Sequence, residues 1–516
     1  MTVRVVVVGA GPVGIRFAEE LLPLVTSGRA SVTVVGAETA DPYNRVLIGE
    51  YAVGEVAASE LTLATAETLP GVDLRLGARA ERVDRAAQQV VLDDGSTVGY
   101  DRLVLATGAR PIIPTLDGLH DLGPDETGLD TRLTSGVCVL RDLSDAAQVR
   151  DVVERGGRVV VLGAGVLGIE LAMLLADAGA TPAVAHFGPI PMPRQLDRGA
   201  ASVLSGALAS AGVVLVPHTR AEGVIIREDE HGERRFRALV SSDAKHIEGD
   251  LLVLSCGVRA RTELAEDAGL RVGNGVLVDG ALRSWTDPLI HAIGDCAHLA
   301  DPELYLHEKH VPGGPNGLVG PGWRQAAWLA AEISAEIEAG LEVSEERETF
   351  REDQPGVVVL KGELVDLVSA GDVSADPFAP VPAGEDAPGI AVWADPQHGT
   401  YVKMATRDGV LTGFVAVGMP RAAAELSVLY LRGGELPADR SLLLRLDDVD
   451  ETVSGSGRDA TLCICNAVTV GQVEDAIDDG CATVAEVGGC TRAGTGCGGC
   501  RARIAELVHA HAAAAA

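Results

Sequence analysis

Twice in this chain a strand-length apolar run ends in G-x-G-x-x-G and passes into an amphipathic stretch. The first copy is Val3-Arg4-Val5-Val6-Val7-Val8, then Gly9-Ala10-Gly11-Pro12-Val13-Gly14, with a helix expected from Ile15 to Leu24. A valine run broken only by Arg4 suits a parallel strand covered on both faces. In this pattern the first glycine makes a tight turn and the second admits a pyrophosphate. The third lets helix pack on strand. A second strand, Val32 to Val35, ends just before Glu38, placed to bond a ribose hydroxyl. A lone glycine motif constrains little; strand, glycines, helix, strand and acid in order constrain much.

The second copy runs Arg158 to Leu162, then Gly163-Ala164-Gly165-Val166-Leu167-Gly168-Ile169-Glu170, a helix to Ala178 and a strand through Val184. Two such units imply two dinucleotides and a hydride passed between them. Between the copies, Leu103-Val104-Leu105-Ala106-Thr107-Gly108 is an apolar strand ending in a small-residue turn. Leu251 to Gly257 repeats that arrangement after the second copy, and Ile290-His-Ala-Ile-Gly294-Asp295-Cys296 closes the set.

The tail carries a different chemistry. Cys463 and Cys465 form one close pair, Cys497 and Cys500 another, joined by residues 466–496. Four thiolates in two clamps suit an iron–sulfur cluster or a structural zinc. Gly494, Gly496, Gly498 and Gly499 let backbone N–H groups approach sulfur, and Cys500 opens a helix over Arg501 to His511. Capping boxes at Thr469–Gln472 and Thr483–Glu486 start two short helices between the pairs. Cys481 and Cys490 fit no ligand position.

C-x-C-N at the front and T-G-C-G-x-C at the back resemble the bacterioferritin-associated ferredoxin module, a small helical [2Fe-2S] domain. By that resemblance the ligands are Cys463, Cys465, Cys497 and Cys500. Residues 1–330 resemble the two-dinucleotide flavoprotein reductases. The resemblance implies that the first fold holds FAD, through Gly9, Gly11, Gly14, Glu38, Ala106, Thr107, Gly108 and Asp295. The second, inserted into it, holds NAD(P)H through Gly163, Gly165, Gly168, Glu170, His186 and Gly257. Asp41-Pro-Tyr43-Asn44-Arg45-Val-Leu-Ile is similar to a segment of assimilatory nitrite and nitrate reductase flavoproteins. There the cation implies an Arg45–Glu170 ion pair beside the flavin, tuning it. Gly317 to Ala326 resembles the helix start that closes over the isoalloxazine, with Trp323 on it. No C-x-x-x-x-C follows the first fold, and Cys138, Cys256 and Cys296 have no near partner, so the flavin must pass electrons elsewhere.

The fold class expected is α/β, with two Rossmann-like dinucleotide-binding domains, an α+β interface domain and a small all-α [2Fe-2S] domain. The bounds are 1–118 with 258–335 for FAD, 135–257 for NAD(P), 350–433 for the interface domain, 434–460 for an acidic linker and 461–511 for the cluster. The interface domain, by resemblance, is where a homodimer would form. A formal charge of −32, from 42 basic and 74 acidic residues, argues against nucleic acid and anionic membrane as partners. It leaves a well-solvated surface or a face for a basic redox partner. No secretory signal or spanning run is visible, and six of nine cysteines in the tail do not read as a disulfide framework, so a reducing cytoplasm fits.

Nicotinamide gives two electrons together and an iron–sulfur cluster takes one at a time; flavin can do both. The chain therefore reads as an NAD(P)H-oxidising diaphorase feeding a separate terminal reductase, with molybdenum nitrate reductase the partner that fits best. A reductase for another ferredoxin- or rubredoxin-type acceptor, an iron-releasing reductase docking bacterioferritin, and a flavoprotein with a zinc tail stay open. So does NADH against NADPH, since His186 stands where an acid would favour NADH and Arg194 could meet a 2′-phosphate.

Overall fold

The computed structural model describes residues 2–515 apart from 121–132, 229–231, 316, 341–348, 351–355, 361–364, 380–386, 445–457, 459–460, 464–465, 467 and 497. The first valine run is the strand Val3–Val8, at the centre of a five-stranded parallel sheet. The order is Ile290–Ala292, Arg102–Leu105, Val3–Val8, Ala30–Gly36, Asp73–Leu76. Arg4 is the one exposed residue of the central strand, and it turns out to meet Asp101 at 2.7 Å. The others are buried between helices, as a doubly covered strand requires.

The first glycine turn feeds the helix Pro12–Glu20, and a separate short helix spans Leu22–Thr26. This differs from the single helix expected from Ile15 to Leu24. The start moves forward because Gly11 is already the N-cap and Pro12 needs no amide partner in a first turn. The break at Leu21 follows from Pro23, which has no N–H to give to the Glu19 carbonyl.

A second five-stranded parallel sheet has the order Val214–Val216, Ala183–Ala185, Val159–Leu162, Leu251–Leu254, Val137–Cys138. Since the first sheet takes its last strand from Ile290–Ala292, the second is threaded into the first. The two crossings are held side by side by the antiparallel pair Ala109–Pro111 and Val258–Ala260.

His291 lies on that last strand, 2% exposed, and its Nδ1 has no partner among the described residues. Burial lowers its pKa to about 4. An unfolded histidine titrates near pH 6.5, so between pH 6.5 and 4 the unfolded chain binds a proton that the native state refuses. Stability is fully present above pH 6.5 and falls by about 3 kcal/mol as pH drops to 4. Urea midpoints measured across that range should show this acid slope, and His291→Leu should flatten it; an unchanged slope would dismiss His291 as its source.

Beyond the second fold, an antiparallel sheet runs Val357–Leu360, Leu367–Gly371, Val410–Val417, Thr400–Arg407, Gly389–Asp395. Asp408 and Gly409, both at positive φ, make a two-residue turn between the last two long strands. Helix Pro420–Leu431 covers one face through Phe414 and Tyr430, 6.0 Å apart edge to face. The other face meets helix Arg198–Ser210, where Lys403, 1% exposed, reaches Asp197 at 2.9 Å and the Val373 carbonyl at 2.7 Å. Tyr401 adds a 2.6 Å bond to the same carboxylate.

The start of the expected linker is packed: Leu436 N–H bonds the Gly409 carbonyl at 3.1 Å, and Leu443 is buried. Its serine–glycine run, 454–457, lies outside the described residues. The tail then forms helices Val470–Asp478, Val484–Thr491 and Arg501–Ala515. A short ladder of Thr461–Cys463 with Val468–Thr469 precedes them, an addition to the all-α expectation. The Thr469–Gln472 capping box is complete, at 2.9 and 3.3 Å. At the second, Glu486 bonds the Ala482 N–H at 2.8 Å instead of that of Thr483, so only half of that box forms. Among the described residues no helix is long and apolar enough to cross a membrane.

Candidate functional site

The two glycine turns have the same internal geometry. A methyl group at Gly9 would lie 2.1 Å from the Ala106 carbonyl oxygen, and one at Gly14 would lie 2.0 Å from that of Gly9. In the second turn, Gly163 faces the Ser255 carbonyl at 2.2 Å and Gly168 that of Gly163 at 2.1 Å. Gly9 and Gly163 also hold φ of 122° and 120°, which side chains rarely adopt. Gly11 and Gly165 differ: nothing lies within 4 Å of where their side chains would be. Each is an extended N-cap without a side-chain partner, so the first-turn amides of two helices point into open space. The residues therefore fit two dinucleotides.

Trp323 is 7% exposed on helix Val319–Glu338, and its Nε1 donates to the Pro12 carbonyl at 3.1 Å. This bond braces the first glycine turn through its backbone. Two residues on, Gln325 accepts from the Gly294 N–H at 2.7 Å, fixing the turn that carries Asp295.

Asp295 faces Arg141 at 3.8 Å. Burial pushes its carboxyl up, with Arg141 opposing. Arg141 is itself lowered by burial, with Asp295 opposing and the cations of Arg45 and Arg261 adding to the depression. Arg261 is tied to the other strand turn, its N–H bonding the Gly108 carbonyl and its carbonyl accepting from Thr107 at 3.0 Å. In a chain of charge −32, three guanidinium groups beside the first glycine turn suit an anionic cofactor. Sequence reasoning missed Arg141 and Arg261. The signal for Arg141 was available: it directly precedes Asp142, which caps helix Leu143–Glu154.

Arg45, expected beside Glu170, has a carboxylate partner in Glu38. The Arg45 guanidinium engages the Glu38 carboxylate and donates to the Arg141 carbonyl at 3.0 Å. Tyr43 donates to the other Glu38 oxygen at 2.7 Å, and burial pushes its phenol well above its usual range, so it remains a donor. Arg45 sits in a tight turn, Arg45–Leu47, whose direction is set by Asn44 capping Val46; this aims the guanidinium back at Glu38. Glu170 lies nearby in the fold, since helix Ile48–Val53 packs on helix Val166–Asp177.

His186 is 6% exposed and lines a cleft with Pro189, Pro191 and Ser205; burial, with His218 nearby, lowers its pKa. Gly257 joins the crossing through its carbonyl, bonded by Ile112 N–H at 2.9 Å. Burial raises the thiols of Cys138 and Cys296 and brings Cys256 up to about 11, so none is a thiolate at neutral pH.

In the tail, Cys463 and Cys500 are buried in one core with Val473, Val487 and Ile504. Cys500 caps the last helix, its carbonyl accepting from Ile504 at 3.0 Å. Cys465 and Cys497 lie outside the described residues. Asn466, beside the first pair, bonds the Arg492 carbonyl at 2.8 Å and ties the front of the module to its second helix.

Two interlocked dinucleotide folds with open glycine turns, followed by an antiparallel domain and a cysteine-bearing helical tail, define an FAD-dependent NAD(P)H oxidoreductase with a [2Fe-2S] module. Residues 3–316 match the pyridine nucleotide-disulphide oxidoreductase family, and the chain belongs to it. Residues 461–510 match the BFD-like [2Fe-2S] binding domain. The chain is 28% identical over 508 residues to the assimilatory nitrate reductase electron transfer subunit of Bacillus subtilis, covering 98% of this chain and 59% of that protein. It is 31% identical over 519 residues to the nitrite reductase [NAD(P)H] large subunit of Klebsiella oxytoca, at 98% of this chain and 48% of that one. It thus spans about half the length of the curated relatives it matches. In fold it is similar to the covalent putidaredoxin reductase–putidaredoxin complex, with a TM-score of 0.66 and 24% identity over 86% of this chain and 95% of that one.

Proposed function

We propose that this chain takes electrons from NAD(P)H and delivers them singly, through its tail, to a separate terminal reductase of nitrate assimilation. The observation that carries this reading is the tail's place: its cluster loop packs on the Asn44–Leu47 turn of the first fold. Cys138, Cys256 and Cys296 are not joined in a disulfide, so none of them offers a local disulfide to compete for electrons.

In this reading the first fold is the FAD site and the second the NAD(P)H site. When bound, the flavin supplies the exchange between a two-electron donor and a one-electron acceptor. Gly11 and Gly165 leave room for the pyrophosphates, and Gly9, Gly14, Gly163 and Gly168 hold helix to strand. Glu38 is oriented by Tyr43 and Arg45 toward a ribose, Ala106 to Gly108 form the opposing turn, and Asp295 faces the ribityl side. Arg45 and Glu170 flank the flavin from two packed elements. Cys463, Cys465, Cys497 and Cys500 hold the cluster. A neutral His186 offers neither a carboxylate for a ribose hydroxyl nor a cation for a 2′-phosphate, so the coenzyme is decided by titration. The acceptor proposed is a molybdenum nitrate reductase. The antiparallel sheet, with Val359 and Val392 exposed, is the proposed face for a homodimer.

The test is an anaerobic titration with NADH, repeated with NADPH, followed by absorbance and EPR. Flavin bleaching and then a reduced [2Fe-2S] signal are expected, with the signal lost in Cys500→Ser while flavin bleaching persists. Zinc in the purified protein, with no such signal, would overturn the reading.

A further inference from the structure

Among the described residues, the tail is attached to the first fold by the buried side chain of Asn44 and by the arginines Arg492 and Arg501. Asn44 is 2% exposed. Its Nδ2 donates to the carbonyls of Thr495 at 2.9 Å and Gly496 at 2.8 Å, the residues just before Cys497. Its Oδ1 meanwhile accepts from Val46 N–H at 3.0 Å, so one amide both caps the Arg45 turn and grips the cluster loop. On the far side of Cys497, Gly498 lies so close to Leu47 that a side chain there would sit 3.0 Å from the leucine Cδ2. Arg492 reaches Glu20 at 3.3 Å and Glu19 at 3.7 Å, and Arg501 reaches Glu60 at 2.8 Å.

We propose that Asn44 is a docking residue for electron delivery, holding the cluster loop against the turn that carries Arg45, with Arg492 and Arg501 steering the module into register. The proposal rests on the reading that the first fold holds FAD and the tail a [2Fe-2S] cluster. In the docked state one electron leaves the reduced flavin and one enters the oxidised cluster, with NAD(P)H as the reductant. Asn44 is a positioning residue: it binds neither cofactor, and its neighbour Arg45 is bonded to Glu38. The contact chain therefore runs from cluster loop to Asn44, to Arg45, to the acid at the expected ribose position. The partly exposed charge pairs contribute little each and are screened by salt, so the buried amide dominates the holding and the arginines its salt dependence.

Asn44→Asp separates the two jobs of this side chain. It keeps an acceptor for Val46 N–H but turns both donors into an acceptor facing two carbonyls. In the holoprotein mixed anaerobically with NADH, flavin bleaching should stay within about twofold of the parent. Cluster reduction should slow at least about tenfold, since two buried hydrogen bonds are lost. Amide hydrogen exchange over residues 493–501 should rise in the same protein before any reductant is added. Arg492→Glu, which leaves Asn44 untouched, should slow cluster reduction more at low salt than at high salt. Adding Glu20→Arg should restore part of it. Unchanged exchange and unchanged cluster reduction in Asn44→Asp would overturn the proposal. If the parent itself shows no cluster signal, the electron-transfer reading fails while exchange still decides whether Asn44 docks the tail.

Discussion

Gly14→Ala is expected to yield a colourless protein, whereas Gly11→Ala yields one that folds normally and binds flavin weakly. The two residues are three apart in one motif and their surroundings are opposite. A methyl at position 14 would stand 2.0 Å from the Gly9 carbonyl oxygen and 3.3 Å from the Ala106 methyl. With a backbone carbonyl on one side and the short, fixed Ala106 methyl on the other, helix Pro12–Glu20 must lift from the sheet. Overpacking of this kind costs about 1–3 kcal/mol or more. That lift also moves the helix amides that would meet a pyrophosphate. At position 11 the methyl meets nothing, so the urea midpoint should match the parent while flavin affinity falls at least about tenfold, the effect of about 1.4 kcal/mol. Flavin content after gel filtration, with urea unfolding of the apoproteins, separates the outcomes. A fully yellow Gly14→Ala protein would mean the turn is looser than its contacts indicate.

Lys403→Ala should be the most destabilising single change in the antiparallel domain. Lys403 is 1% exposed, and its ammonium has two partners, Asp197 and the Val373 carbonyl. Burial would push the Asp197 carboxyl up, yet bonds from Tyr401, Ala200 N–H and Lys403 outweigh it and hold it below the usual range. Removing one member of such a pair leaves the other charge in a poor dielectric, at a cost of about 3–5 kcal/mol. Lys403→Met with Asp197→Asn removes both charges and should recover most of the loss. Urea unfolding followed by the fluorescence of Trp393, on the neighbouring strand, reports it. A single variant within about 1 kcal/mol of the parent would show that water reaches Asp197 and relieves it.

Much of the architecture was legible because its determinants are local. Valine runs, glycine spacing and the Thr469–Gln472 capping box act within a few residues, and each appears where it was expected. What was not read is decided across the chain. The bond from Arg45 to Glu38, seven positions upstream, depends on Asn44 capping the turn that follows it. Arg141 was missed although it precedes a helix cap, since what makes it part of the site is Asp295, 154 positions later. Asn44 was read only as one letter of a motif, because its partners at 495 and 496 are brought to it by the tertiary fold. Trp323 was placed on the right helix, but a helix start does not say which carbonyl an indole will find.

The threading of one sheet through the other also sets an order for synthesis. The strand Val3–Val8 leaves the ribosome first, but its sheet lacks Ile290–Ala292 and its glycine turn lacks the indole of Trp323. At about 5–20 residues per second, the amino terminus is made roughly 15–60 s before the residue that braces it. The strands of the second sheet all fall between 137 and 254, so that unit can close while the first still waits. The birth order of the two folds is thus the reverse of their order of completion. Slowing translation between 255 and 325 would prolong the interval in which the Arg102–Leu105 edge is uncovered and open to association with other nascent chains.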